Sequence, residues 1–164
     1  MDPLREAREL DVLDQAQCLD LMRTATIGRV AFTQGALPAV QPVTFALGDE
    51  EVFIPTHPGS KVAAAAKGAV VAFEVDDVDP EGRTGWNVTV VGPSRVISEP
   101  AKVARLDRLG VRPWARGRGR HCYIGITISL VQGRRLRSDD SSADVRTPQV
   151  ETPPGALSVA PTRS

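Results

Sequence analysis

The chain has 164 residues, 41% hydrophobic and 24% charged, with 20 Lys and Arg against 20 Asp and Glu. This is the balance of one soluble domain with a tail, and zero net charge excludes strong global steering of nucleic acid or anionic membrane. Two cysteines (Cys18, Cys122) and two histidines (His57, His121) are too few for a disulfide scaffold, a four-thiolate zinc site or a histidine-rich metal centre.

The first residues, MDPLREAREL, are charged and lack the apolar core of a secretory signal. No apolar stretch approaches the ~20 residues of a membrane helix. A cytoplasmic protein with reduced thiols is the expectation. Residues 1–13 are expected to be flexible and 14–137 to form the folded domain. The Ser-, Thr- and Pro-rich segment 138–164 has no apolar period and is expected to be disordered.

Leu13, Ala16, Leu19 and Met22 recur at helical spacing, with Asp14 placed to cap the helix. Gly28–Thr33 alternates as a strand and Gln34-Gly35 marks a turn. Pro38–Leu47 reads as a second strand, and its internal Pro42 demands an edge or a bend. Glu51–Pro55 is a third, so the three suggest an antiparallel meander. The period then changes: Lys61–Lys67 is an alanine-rich helix closed by Gly68. Ala69–Val75 is continuously apolar, as a central strand should be, and Asp76–Thr84 reads as a polar connection. Trp86–Ser98 is a long strand with a bend at Gly92-Pro93. Pro100–Leu109 is a helix with proline in its first turn. Cys122–Leu136 is the last strand, interrupted near Leu130. Six or seven strands with hairpin-length connections suit a mainly β, antiparallel barrel.

The sharpest local feature is Thr56-His57-Pro58-Gly59-Ser60-Lys61, which leaves a strand and enters a helix. A helix start exposes unpaired amides and partial positive charge, and two hydroxyls, a glycine and a lysine surround it. The segment could hold a phosphate; equally, Ser60 could simply cap a surface helix with Lys61 in water. It lacks the spacing of a Walker A loop, and no dinucleotide fingerprint occurs elsewhere. Residues 105–137 carry nine arginines, four of them at 112, 116, 118 and 120, against the single acid Asp107. That loop suits a phosphate-bearing ligand, nucleic acid, or pairing with the acidic stretch Glu74, Asp76, Asp77, Asp79 and Glu81. Aromatic residues at only 4% count against a nucleic-acid-binding sheet. Trp86 and Trp114 could each pack on a planar ligand or in the core. No nucleophile elbow, paired catalytic carboxylates or metal cluster emerges, so catalytic residues stay unassigned; an enzyme of this sequence would rely on a bound cofactor.

An ordered series of short motifs then resembles the pyridoxamine 5′-phosphate oxidase-like, flavin-binding split barrels, in particular their actinobacterial flavin/deazaflavin oxidoreductase branch. The series is Ile27-Gly28-Arg29-Val30-Ala31-Phe32, Pro42-Val43-Thr44-Phe45, Gly59-Ser60-Lys61-Val62, Val71-Ala72-Phe73-Glu74-Val75-Asp76, Gly85-Trp86-Asn87-Val88, Arg112-Pro113-Trp114 and Gly133-Arg134-Arg135-Leu136. The resemblance implies an antiparallel split β-barrel that forms a homodimer with FMN at the interface. It implies that the flavin ring lies against the backbone of Pro42, Val43, Thr44 and Phe45. Thr56, Ser60 and Lys61 would hold the phosphate, and Trp86 would approach from the partner subunit. It also implies an oxidoreductase passing hydride from a small-molecule donor, through the flavin, to a small acceptor. A deazaflavin or haem is the alternative cofactor, and a non-catalytic module for storage or sensing the alternative role. One departure stands out. Many relatives place an arginine where this chain has Ile54-Pro55, which removes a phosphate contact typically worth ~1.5–3 kcal/mol.

Overall fold

A computed structural model describes residues 10–113 and 120–137. Among the described residues the order is β1 (Leu10–Leu13), α1 (Gln15–Arg23), β2 (Ile27–Gln34), β3 (Leu37–Thr44), β4 (Ala46–Leu47), β5 (Glu51–Thr56), α2 (Lys61–Ala66), β6 (Val70–Asp79), β7 (Thr84–Ile97), α3 (Pro100–Asp107), β8 (Cys122–Thr127) and β9 (Leu130–Leu136). The expected tail at 138–164 and the arginine-loop residues Trp114, Arg116 and Arg118 lie outside the described residues.

The strands are antiparallel and run in the order β3-β2-β6-β7-β8-β5-β4, with β9 also on β7 and β1 on β9. β7 is the hinge of this arrangement. Its first part, Gly85–Val91, pairs with β9, and Thr84–Pro93 pairs with β6; beyond the bend, Ser94–Ile97 pairs with β8. The expected break at Gly92-Pro93 is thus where the strand passes from one half of the barrel to the other. Gly92 is required there: a Cβ on it would sit 1.7 Å from the Thr127 carbonyl oxygen.

Alternation explains the core. Val30 and Phe32 of β2, Phe73 and Val75 of β6, and Val88 and Val90 of β7 all point inward and are buried. Val52 and Ile54 of β5 and Ile124 and Ile126 of β8 join the same cluster. α1 plugs one side with buried Cys18 and Met22. Its start carries a reciprocal cap: Asp14 Oδ1 accepts from the Gln17 amide at 2.8 Å, and Gln17 Oε1 accepts from the Asp14 amide at 2.9 Å.

Several expectations need correction. Among the described residues nine strands form rather than six or seven. Leu10–Leu13, assigned to a flexible terminus, pair with β9 from Leu10 opposite Leu136 to Leu13 opposite Gly133. Only Leu13 of the four is buried, so this strand gives little periodic signal. Both links of the expected meander form, but the expected second strand Pro38–Leu47 is broken in two after Thr44. β3 pairs with β2, and after Thr44 the chain crosses so that Ala46-Leu47 form a separate strand paired with β5. The acidic connection is shorter than expected, because β6 continues to Asp79 opposite Thr84. Pro42 behaves as expected: it lies opposite Arg29 on β3, which ends the sheet.

Candidate functional site

β5 ends at Thr56, and a turn with Gly59 at φ 81° delivers the chain to α2. Ser60 caps α2, its Oγ accepting from the Ala63 amide at 3.0 Å. The Thr56 and Ser60 hydroxyl oxygens are 2.9 Å apart. Val62, Ala63 and Ala66 turn inward, which leaves Lys61 exposed on the first turn. A Cβ at Gly59 would meet nothing within 4 Å, so the space outside the turn is open. The far end of α2 is clasped to the bend of β7: the buried Ser94 hydroxyl donates to the Ala66 carbonyl at 2.5 Å, with the Ala69 carbonyl oxygen 2.9 Å away. The local signals read from sequence thus become one hydrogen-bonded strand-turn-helix unit.

The predicted ring-binding segment divides by face. Val43 and Phe45 are buried, Phe45 edge-on to Phe73 with ring centroids 4.9 Å apart. Their side chains belong to the core, so only their backbone is available to a ligand. Pro42 is exposed and Thr44 half-buried, its hydroxyl donating to the Arg112 carbonyl. α2 packs on β2, and β2 is the strand that pairs with β3. β3 and the helix that follows the 56–60 turn therefore both adjoin β2.

Trp86 stands apart. It lies near the start of β7, between Asp77 and Arg135, and packs at the margin of the core. Asn87 and Arg134 share with it a groove of about 370 Å³ that contains no residue of 56–61. Within one chain Trp86 is not joined to the other predicted residues. Ile54 and Pro55 are both buried, so the position where relatives carry arginine faces no ligand space here.

Three charged clusters escaped the sequence reading. Arg29 bonds to Asp76 at 2.5 Å and Glu74 at 3.2 Å, so the acidic stretch pairs with β2. Burial pushes the Glu74 carboxyl above its ordinary range, and the Asp76 charge adds to this while Arg29 opposes it. Arg95 pairs with Glu51 across β7 and β5. Asp107 accepts from His121 at 2.6 Å and from the hydroxyl of the fully buried Tyr123 at 2.9 Å. Those bonds, His121 first, hold Asp107 below the usual carboxylate range despite its partial desolvation. Burial raises the Tyr123 phenol, and Asp107 raises it further. No group of three metal-ligating side chains occurs among the described residues, and no described helix is long and apolar enough to cross a membrane.

Known proteins place this architecture. The uncharacterized protein Rv0080 of Mycobacterium tuberculosis is 38% identical over 149 residues, spanning 88% of this chain and 93% of that one. A solved FAD binding protein from Mycobacterium smegmatis is 29% identical with a TM-score of 0.66, covering 77% of this chain and 100% of its own. An FAD and heme binding protein from the same species shares the fold at 21% identity and TM-score 0.64, over 94% of this chain and 90% of that one. The split-barrel fold class is therefore correct, with the barrel left open between its β3 and β4 ends. The model of the pyridoxamine 5′-phosphate oxidase family matches residues 14–135, and this chain belongs to that family.

Proposed function

We propose that this chain binds a flavin as a homodimer and uses it to pass hydride to a small acceptor. The observation that carries the reading is the Thr56–Ser60–Lys61 cradle. Two hydroxyls 2.9 Å apart sit beside an exposed lysine at a helix start, with open space over Gly59. These donors suit a dianionic phosphate. The 29%-identical Mycobacterium smegmatis protein, aligned over its full length and named for FAD binding, supports the same ligand class. FMN and FAD both carry a ribityl phosphate, so one cradle serves either, and FMN is the simpler occupant. When bound, the flavin supplies the hydride chemistry. The chain would orient it: backbone groups of Pro42 to Phe45 along the ring, and Lys61 neutralising the phosphate.

A dimer fits the outer face of the sheet. Following the register from β9 to β3, Leu130, Val91, Ala72, Ala31 and Val40 form one row on the side away from the core. Leu130 is 50% and Val40 66% exposed. An apolar row across five strands is a surface for a partner.

Titration of FMN by fluorescence quenching tests the cradle. Lys61→Ala should weaken binding about tenfold, the loss of one charge-assisted contact. Unchanged affinity in this variant would remove the phosphate from 56–61.

A further inference from the structure

We propose that self-association through the outer face of the sheet is proton-linked, the dimer tightening as Glu74 takes up a proton. This rests on the dimer reading given above and adds a regulator to it. Arg29, Glu74 and Asp76 all point outward, on the same side as the apolar row. Glu74 stands two residues along β6 from Ala72, and Arg29 two residues along β2 from Ala31. Each therefore lies about 7 Å from the middle of that row. A stable interface buries roughly 800 Å² on each partner, a disc of about 16 Å radius. An interface centred on Ala72 covers the cluster.

The cluster holds two carboxylates against one guanidinium. Asp76 lies 2.5 Å and Glu74 3.2 Å from the same Arg29 nitrogen, so the closer contact goes to Asp76. The other positions around Glu74 add no compensating charge. Thr89 lies opposite it on β7, Gln132 beyond that on β9, and Pro42 beyond Arg29 on β3. Arg134 lines the same groove but sits two strands from Asp76, about 10 Å away, and pairs with neither carboxylate. The ionised cluster thus carries one unmatched negative charge, and a second copy would strip water from that charge on both chains. A proton on Glu74 leaves Arg29 and Asp76 matched one to one. Partial burial already pushes the Glu74 carboxyl above its ordinary range, with Asp76 adding to this and Arg29 opposing it. Further desolvation acts in the same direction, so Glu74 holds its proton more tightly in the dimer than in the monomer. Association is then tightest below the monomer's Glu74 pKa and loosens as the pH rises through the dimer's.

Sedimentation equilibrium of the full-length protein at pH 5 and pH 8, at constant ionic strength, gives the dimer dissociation constant at each. The pH 5 value should be at least about tenfold lower, each Glu74 contributing up to about tenfold per pH unit between its two pKa values. Glu74→Gln fixes the neutral form in nearly the same shape. It should dimerise at pH 8 as tightly as the wild type at pH 5 and show no dependence on pH, which separates Glu74 from every other group titrating in this range. Ala72→Arg should be monomeric at both pH values. A pH-independent dimer that Ala72→Arg breaks would overturn the proton linkage alone. So would a pH dependence that persists in Glu74→Gln, or a dimer that loosens toward acid. A wild-type monomer at both pH values, or a dimer that Ala72→Arg leaves intact, would overturn the outer-face reading and the linkage with it.

Discussion

Gly92 shows how a single residue sets the architecture. It lies where β7 changes partners, with the Thr127 carbonyl pressed against the place a side chain would occupy. Backbone, unlike the end of a flexible side chain, cannot step aside cheaply. Gly92→Ala should therefore cost about 2–3 kcal/mol, read as a lowered midpoint in urea unfolding. A neutral result would mean that the crossing is looser than it looks. The same scale separates what could be read from sequence. The grouping of Thr56, Ser60 and Lys61 around the start of α2 was legible because cap, hydroxyls and charge are neighbours in sequence. The partners of Asp107, Arg29 and Arg95 were not, since each contact joins elements brought together only by strand pairing. Trp86 was legible as a residue of interest but not as one distant from the cradle.

At the scale of elements, α3 is the most weakly held. None of its residues is buried, so the bonds from His121 and Tyr123 to Asp107 do much of the fastening. The lowered Asp107 pKa fixes the direction of its pH dependence. Its stabilisation is complete above the ordinary carboxylate value of about 3.9 and is lost as the pH falls through the lower folded-state value. Hydrogen exchange should show α3 amides opening on that acid limb in the wild type. In Asp107→Asn they should be open already at neutral pH; equal protection in both proteins would assign the fastening to other contacts. Most elements were legible because capping and period agree locally: α1 with Asp14 and Gln17, α2 between Ser60 and Gly68, β6 as an apolar run. β1 and β4 were not. Each is short, and each is defined by a partner rather than by its own pattern.

At the scale of the molecule, sheet order was the part sequence could not supply. Hairpin-length connections suggested neighbours in succession. β5 pairs with β8 as well as with its chain neighbour β4, and β7 serves both halves of the barrel, because closing the core matters more than keeping the chain local. The same register exposes the apolar row on the outer face. Ala72 lies at its middle, flanked by Ala31 and Val91. If a second copy covers that row, Ala72→Arg should convert the dimer to a 17.5 kDa monomer by light scattering, with little loss of monomer stability because the side chain points outward. A dimer that survives the substitution would place the interface elsewhere.

Flavin binding is the proposed property on which the rest of the proposed function rests. The purified protein should be incubated with excess FMN, and separately with FAD, then desalted and scanned for flavin absorbance against protein concentration. Retention of about one flavin per chain is the predicted result, given the Thr56–Ser60–Lys61 cradle and the family's match over residues 14–135. A colourless protein from both incubations would contradict it, and would mean that the buried Ile54-Pro55 step has cost this chain its flavin.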